Sequence, residues 1–347
     1  MKKMQYLLFI SLCAVMFSCS KKDEVAAVPN ELRIELNTPA IYNDGLDELT
    51  VSVFDASNRD VTAGSEILID GNLISGNIFK AGATKTYAAK ARLNGKESAP
   101  VSFNAIQHEV NKFSKKITIE EFAGMWCSFC TRFTYLIDTM VRNNNKIIPI
   151  TLHSGDILEY VFVRQMRQKF QTTDFPSAYV NRHRIWDESA AMLQNDLNRK
   201  SKCGLAISST ISNNQVTANV KVKFDITTSE SLNIVVMLLE DSLIYPQSNY
   251  YDSQPTSPFF NLGDPIQNYR HNNVMRVAAT DIFGDVIQAN TVRKNETWEK
   301  TYTINATGYN LANCKVVAFV QYTQNNVSRW GVLNTQVAKV GSSVNFD

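Results

Sequence analysis

The decisive stretch of the chain is Glu121-Phe122-Ala123-Gly124-Met125-Trp126-Cys127-Ser128-Phe129-Cys130. Residues 116–122 have the composition of a β-strand, and residues 128–142 place apolar side chains at helical spacing. The stretch therefore runs from a strand into the first turn of a helix. Two cysteines separated by two residues at a helix start can close a small disulfide ring with little distortion.

This position gives the first cysteine a reactive environment. A helix N-terminus offers free N–H groups and a positive dipole end, which lower the pKa of a thiol to about 3.5–7.5. We expect Cys127 to be exposed at the helix tip and to attack a partner disulfide as the thiolate. Cys130, one turn further in, would resolve the mixed disulfide. The predicted chemistry is thiol–disulfide exchange.

Two other interpretations of the cysteine pair stay open. One is half of a zinc site, which needs about four ligands. The histidines His108, His153, His183 and His271 are scattered, and the sequence holds no second C-x-x-C, so we expect no metal and no other cofactor. The other interpretation is an inert structural disulfide.

The segment resembles the thioredoxin superfamily in three respects. Trp126 directly precedes Cys127, and Glu121 lies six residues before it, at the offset of a buried acid in that superfamily. Pro176, 46 residues after Cys130, precedes a predicted strand. The resemblance implies that Glu121 passes protons to Cys130 and that a cis-proline at Pro176 packs against the disulfide and lines a peptide-binding groove. From the residues alone, Glu121 could equally be a surface strand residue.

A polar loop follows the second predicted strand of this region, at residues 147–152. Functional groups gather at the carboxyl ends of strands in open α/β sheets. His153 and Asp156 are therefore candidates to face the cysteine pair and tune it. An ordinary Ser-Gly-Asp turn explains the same residues.

The flanking regions predict the fold class. Residues 31–108 alternate in hydropathy between turn sequences, resemble immunoglobulin-like modules and predict a β-sandwich. Residues 113–202 alternate strand and helix, whereas residues 203–347 return to strands. We expect a multidomain α+β protein in which a thioredoxin-like α/β domain (113–202) lies between an N-terminal immunoglobulin-like β-sandwich and a C-terminal β-sandwich.

The first 30 residues have the pattern of an export signal. Lys2 and Lys3 precede an apolar run over residues 7–17, which ends at Ser18-Cys19. The run is too short for a membrane span of about 20 residues. We expect residues 1–18 to be removed, Cys19 to carry lipid that binds the membrane, and residues 19–30 to form a tether. An ordinary signal peptide cleaved nearby is the alternative.

The charge and cysteine content of the remaining chain limit its partners. Without residues 1–18 the balance is 35 − 2 = 33 basic against 33 acidic residues, so nothing points to nucleic acid. Export permits disulfides. Besides Cys127 and Cys130, the exported chain keeps Cys203 and Cys314, which are either a structural disulfide or two small buried apolar residues.

Residues 113–347 resemble the 28-kDa outer-membrane lipoprotein family of Bacteroides-type bacteria. The motifs are residues 120–127, 148–156, 175–177, 239–241 and 271–276. The resemblance implies a lipid-anchored outer-membrane protein, and Lys21-Lys22-Asp23-Glu24 resembles a sorting signal for the cell surface. Three functions remain open. The first is thiol–disulfide exchange with a protein partner, which leaves enzymatic turnover open, and the second is surface binding and adhesion with the thioredoxin-like domain as a scaffold. The third is a part in an envelope assembly that exchanges disulfides only during maturation.

Overall fold

The computed structural model describes residues 32–43, 48–107, 113–226, 231–323 and 331–347. The predicted signal, the lipid site at Cys19 and the tether lie outside the described residues, as does His108. Of the described residues, 47% are in strands and 13% in helices.

The N-terminal region consists of two sheets around one core. A three-stranded sheet has the order β1-β3-β6, and a second sheet has the order β2-β9-β7-β4-β5, with β8 on β7. Leu49, Val51 and Val53 are fully buried between them, together with Ile67 and Phe103. This arrangement is consistent with the expected β-sandwich. The strands are β1 Arg33–Leu36, β2 Ala40–Tyr42, β3 Glu48–Phe54, β4 Glu66–Ile69, β5 Asn72–Leu73, β6 Ile78–Lys80, β7 Lys85–Leu93, β8 Lys96–Glu97 and β9 Val101–Ile106.

The middle region alternates strands and helices at the positions that the sequence pattern indicates. The helix expected over 128–142 begins at Cys130. The third helix is capped by Ser189, whose side chain accepts a hydrogen bond from the backbone of Met192. The elements are β10 Ile117–Ala123, α1 Cys130–Asn143, β11 Ile147–His153, α2 Val163–Phe170, β12 Ser177–Val180, β13 Arg184–Ile185 and α3 Ala190–Leu197.

The C-terminal region consists of strands. Short 3-10 turns at Ala289–Thr291 and Leu311–Asn313 connect some of them, and another occupies Thr62–Gly64 in the N-terminal region. The strands are β14 Cys203–Ser212, β15 Gln215–Phe224, β16 Leu232–Glu240, β17 Leu243–Gln247, β18 Ile266–His271, β19 Val274–Ala278, β20 Asp285–Ile287, β21 Thr297–Asn305, β22 Cys314–Tyr322, β23 Val332–Lys339 and β24 Ser343–Val344.

The prediction of a thioredoxin-like α/β domain is wrong. Strands of the middle and C-terminal regions form one nine-stranded sheet with the order β13-β12-β10-β11-β19-β16-β22-β23 and with β20 on β16. β10 and β11 are parallel, and β11 continues in parallel to β19 at Thr151 and Val274. The predicted boundary between residues 202 and 203 therefore separates strands of one sheet, and the described residues are mostly β.

The physical reason for the shared sheet lies in β16. Its residues Ile234, Val236 and Leu238 face a core shared with the four-stranded sheet β21-β15-β14-β24. The alternate residues, including Met237, face a second core beneath α2 that includes Met166. Burying one such side chain contributes about 1.5–3 kcal/mol, so β16 needs cover on both faces. The middle region covers one face of β16. Separating the middle region from the C-terminal region would therefore expose that face of β16 to water.

A buried ion pair also joins the two regions. Arg182 donates to both carboxylate oxygens of Glu120 on β10, at 2.8 Å each, and to the carbonyl of Ile282 at 2.9 Å. Its guanidinium carbon lies 4.7 Å from the ring centroid of Phe319 on β22. Both partners of the pair have fully buried side chains.

Candidate functional site

The cysteine pair forms a disulfide at the start of α1. Cys127 and Cys130 are joined by an S–S bond of 2.09 Å with their Cα atoms 5.4 Å apart. Cys130 is the first residue of the helix. Only 3% of Cys127 and 2% of Cys130 is exposed. The expectation of an exposed Cys127 is therefore wrong for this conformation.

The C-terminal region contacts the backbone of the loop that carries Cys127. We call residues 247–251, which begin at the last residue of β17, the covering segment. The side-chain amide of Gln247 donates to the carbonyl of Cys127 at 2.8 Å and to that of Gly124 at 3.2 Å. The backbone N–H of Ser248 donates to the carbonyl of Met125 at 2.9 Å. The covering segment is thus joined to the cysteine loop by hydrogen bonds from both its side chains and its backbone.

The outer end of this ladder carries aromatic side chains. The backbone N–H of Tyr250 donates to the carbonyl of Ser128 at 3.0 Å. The rings of Tyr250 and Phe129 lie 4.4 Å apart, and both remain about half exposed. An apolar and partly accessible rim therefore borders this side of the disulfide.

Trp126 and Phe175 border the other side. Phe175 packs against Ala123 and the two cysteines, and its peptide bond to Pro176 is cis. The rings of Trp126 and Phe175 lie 5.1 Å apart. Trp126 donates its indole N–H to the carbonyl of Ser154 at 2.8 Å and covers Gly124, where a Cβ atom would lie only 2.6 Å from the indole nitrogen. Pro176 thus lies next to the residue that contacts the disulfide.

Glu121 is a buried acid beneath α1. It is 2% exposed and accepts a hydrogen bond of 2.6 Å from the hydroxyl of Thr134. Thr134 lies one helical turn after Cys130, and Glu121 shares a strand face with Ala123, which contacts the cysteines. Burial raises the pKa of Glu121 to about 8, and the charge of Asp138 adds to the rise. The structure therefore rules out a surface position for Glu121.

His153 and Asp156 form a hydrogen-bonded pair that contacts the cysteine loop. His153 is 2% exposed, and its Nδ1 lies 2.8 Å from Oδ2 of Asp156. The same carboxylate oxygen accepts the backbone N–H of Met125 at 2.8 Å. Burial would raise the pKa of Asp156, but the hydrogen bonds from His153, Met125 and Leu158 hold it below its usual value. The pair contacts the loop that carries Cys127 through Met125.

Two residues of this site were not singled out from the sequence as functional residues. His271, on β18, lies with its ring 5.0 Å from that of His153, and Tyr269 lies 4.9 Å from His271. Burial lowers the pKa of His271 to about 4, so this side chain is neutral at neutral pH, and its Nε2 atom has no hydrogen-bond partner among the described residues. The one sequence signal was the position of His271 in a motif shared with the family, which gave no chemical role.

Cys203 and Cys314 are free thiols. Both are buried in the core between the nine-stranded and four-stranded sheets. Burial raises the pKa of both thiols to about 12, so they remain protonated. Of the two alternatives, the structure shows two small buried apolar residues and no disulfide.

Among the described residues, no three side chains of the His, Cys, Asp and Glu types converge as metal ligands. None of the helices in this part of the chain combines the length and the apolar character needed to cross a membrane.

The family model for Outer membrane protein Omp28 matches residues 163–344, which are 182 of the 347 residues. The chain belongs to the Omp28 family. This confirms the family predicted from the sequence, and it assigns this Omp28 protein to the outer membrane. The match begins after Cys130, so membership of the Omp28 family carries no statement about the cysteine pair.

Solved structures add a likeness of fold. HBP35 of Porphyromonas gingivalis is similar with a TM-score of 0.55 and 16% identity, over 67% of this chain and 77% of that chain. At this identity the likeness concerns the fold alone. Two structures of beta-glucosidase from Kluyveromyces marxianus, one in complex with glucose, have TM-scores of 0.20 at 10% and 9% identity, cover 86% of this chain and 45% of theirs, and carry no argument. No curated protein matches the chain.

Proposed function

We propose that this outer-membrane protein exchanges its Cys127–Cys130 disulfide with thiols of partner proteins. The observation that carries the proposal is Glu121, a buried carboxyl held against α1 one turn from Cys130, which has no ion-pair partner among the described residues. An unpaired buried carboxyl is costly, and groups of strongly shifted pKa concentrate at functional sites. A disulfide that only stabilises the fold does not need a buried carboxyl such as Glu121 beside it.

The exchange proceeds in two displacements. A thiolate of the partner attacks Sγ of Cys127, the Cys127–Cys130 bond breaks, and Cys130 leaves as a thiolate. Glu121, protonated below its pKa of about 8, donates a proton to that thiolate. A second thiolate of the partner then attacks the partner sulfur of the mixed disulfide and releases the Cys127 thiolate. The partner loses two electrons, and the cysteine pair gains them.

Access to Cys127 requires a local opening. The covering segment is held on the cysteine loop by hydrogen bonds to the carbonyls of Met125, Ser128 and Cys127. We propose that displacing this segment exposes the sulfur. Segments that open locally do so at a lower free energy than global unfolding. The proposal therefore predicts exchange from a minor, open conformation.

Transfer of electrons to a protein disulfide tests the proposal. The prereduced protein should reduce insulin disulfides, whereas prereduced Cys127→Ser should not, and Cys130→Ser should accumulate a mixed disulfide with insulin. Cys203→Ala is the matched cysteine control and should behave like the unaltered protein. A prereduced protein that leaves insulin oxidised would refute thiol–disulfide exchange.

A binding function is favoured by a separate observation, a set of exposed apolar side chains of which Trp126, Phe129 and Tyr250 lie beside the cysteine loop. Eight of the fifteen exposed large apolar side chains among the described residues occur on three segments, 126–129, 157–162 and 250–262. Exposed apolar clusters mark interaction sites. A binding protein would retain its partner when both cysteines are replaced by serine, whereas an exchange protein would lose the covalent intermediate. The eight residues are Trp126, Phe129, Ile157, Val161, Phe162, Tyr250, Phe260 and Leu262.

We also propose that lipid on Cys19 anchors the protein. The support is the sequence pattern alone, an apolar run that ends at Ser18-Cys19 before a charged segment. Labelled palmitate should enter the protein in growing cells and should be absent from Cys19→Ser. Equal incorporation by both proteins would contradict the anchor.

A further inference from the structure

A polar cavity of about 70 Å³ lies where the N-terminal, middle and C-terminal regions meet. Thr38 lines it from the N-terminal region, His183 from the middle region and Tyr322 from β22. None of the residues described around the disulfide lines it. Since a water needs about 10–15 Å³ of such a volume, the cavity has room for about five waters. It is therefore large enough for a small polyatomic ligand.

The two carboxylates that line the cavity are already paired with cations. Arg184 lies 2.7 Å from Oδ1 of Asp196 and 3.7 Å from Oε2 of Glu48. Arg199 contacts the same two carboxylates, at 3.1 Å from Oδ1 of Asp196. Burial would raise the pKa of Glu48, but Arg199, Arg184 and Lys80 hold it below its usual value. The carboxylates therefore remain ionised, and the arginines balance their charges.

The other charged residues that line the described part of the cavity are all lysines, Lys115, Lys200 and Lys202. Only 8% of Lys115 and 7% of Lys202 is exposed. The ammonium group of Lys115 donates to two backbone carbonyls of β23, at 2.9 and 2.8 Å. That of Lys202 donates to a backbone carbonyl of β2 at 3.2 Å and to the phenol oxygen of Tyr322 at 3.0 Å. These bonds hold both ammonium groups in place at neutral oxygen atoms, so the described lining attracts an anion.

Lys200 and His183 are the lining groups with donors to offer. The side chain of Lys200 is half-buried and makes no hydrogen bond or ion pair with a described residue. The Nδ1 atom of His183 is buried and has no hydrogen-bond partner among the described residues, which is costly unless a ligand or water pairs with it.

The ring of His183 is neutral. Burial lowers its pKa to about 4, and the charges of Arg184 and Arg199 add to the fall. A neutral imidazole carries one N–H, so His183 can donate a hydrogen bond to an anion.

We propose that this cavity binds a tetrahedral oxyanion of the phosphate type, either free or as the terminal group of a phosphate ester. A phosphorus atom with its oxygens fills about the space of the waters that the cavity admits. Donors that approach from different regions of the chain suit a tetrahedral anion better than a planar carboxylate. Lys200 and His183 donate to the anion, and Lys115 and Lys202 add a favourable field. The proposal concerns a second site and does not rest on thiol–disulfide exchange.

The test is a calorimetric titration of the full chain with inorganic phosphate at an ionic strength held constant by sodium chloride. The protein should bind one phosphate with a saturable isotherm. Lys200→Met and His183→Phe should each weaken binding about 10-fold, because each removes one donor to a charged acceptor. Lys223→Met is the matched control, a half-buried lysine of β15 that does not line the cavity, and it should bind phosphate like the unaltered protein. Near-ultraviolet circular dichroism checks that each variant is folded.

The imidazole resonances of His183 give a second readout, in the unaltered protein. A bound anion favours the imidazolium form, so saturating phosphate should raise the titration midpoint of His183 by about 1 pH unit. Sodium chloride at the same ionic strength should leave the midpoint unchanged. His183→Phe assigns the signal.

The outcomes decide whether the cavity is an anion site. A titration that does not saturate would overturn the proposal, and so would equal affinity in Lys200→Met, an equal loss in Lys223→Met or an unmoved midpoint of His183. Weaker binding in Lys200→Met and His183→Phe alone, together with a raised midpoint, supports it. Methyl phosphate then distinguishes the two sources, since a site for phosphate esters binds it and a site for the free anion does not.

Discussion

Replacing Gln247 by alanine should let a reductant reach the Cys127–Cys130 disulfide faster. The side-chain amide of Gln247 is buried and donates to the carbonyls of Cys127 and Gly124. These two bonds hold the covering segment on the cysteine loop from the side chain, next to the backbone bond from Ser248. The substitution removes both side-chain bonds and leaves the two backbone bonds, from Ser248 and from Tyr250, in place.

The structure sets the size of the effect. Each hydrogen bond contributes about 0.5–1.5 kcal/mol net, so the closed state should lose about 1–3 kcal/mol relative to the open state. Reduction that proceeds through the open state should then accelerate by about 5- to 150-fold. The global free energy of unfolding should fall by a similar amount or less, because the bonds join a loop to a local segment.

The assay is the rate of disulfide reduction by a water-soluble phosphine, followed by alkylation of the released thiols. Gln267→Ala is the matched control, since this exposed glutamine of the same hairpin donates only to the carbonyl of Pro265 at 3.4 Å. It should leave the rate unchanged. Equal rates for Gln247→Ala and the unaltered protein would show that the covering segment does not limit access to the sulfur.

Three further results are expected from buried groups. Glu121 has a folded-state pKa of about 8 against an ordinary value of 4.5, so the folded state binds more protons than the unfolded state between these pH values. The free energy of unfolding should therefore fall as pH rises through this range, and Glu121→Gln should reduce that fall in urea titrations. Arg182→Met should leave Glu120 as an uncompensated buried charge and lower the unfolding free energy by about 3–5 kcal/mol, measured in urea, and a loss below about 1 kcal/mol would contradict the importance of the pair. In a chain of residues 20–347, a thiol reagent should find two free cysteines, Cys203 and Cys314, after denaturation without reductant and none in the native protein.

Local structure could be predicted from the sequence because it depends on short-range periodicity. The helical spacing over residues 128–142 indicated α1, which runs from Cys130 to Asn143. The apolar run over residues 147–152 indicated β11, which runs from Ile147 to His153. Each prediction needed only a window of one element.

The pairing of β11 with β19 could not be predicted in this way. Thr151 and Val274 meet across the sheet although more than 100 residues separate them. The strand–helix alternation of residues 113–202 fits an independent α/β domain as well as it fits part of a larger sheet. The continuous apolar run of β16 is typical of a strand covered on both faces, and it was the available sign that the C-terminal region forms more than a sandwich of its own.

In the candidate site, too, short-range features could be predicted from the sequence and tertiary contacts could not. The spacing of Cys127 and Cys130 and the offset of Glu121 are short-range features, and the structure places all three together. The covering segment reaches the site through tertiary contacts of single polar groups, such as the side-chain amide of Gln247, which leave no periodic trace in the sequence. The prediction that Cys127 is exposed was wrong because its burial depends on tertiary packing, including that of Phe175.

The reduction potential of the Cys127–Cys130 pair tests the central claim most directly. It is measured by equilibrating the protein with thiol–disulfide buffers of known potential and counting the alkylated cysteines. A pair that exchanges with protein thiols should have a potential above about −300 mV, within reach of biological thiols. A potential below about −300 mV would mark an inert structural bond and contradict the proposed function.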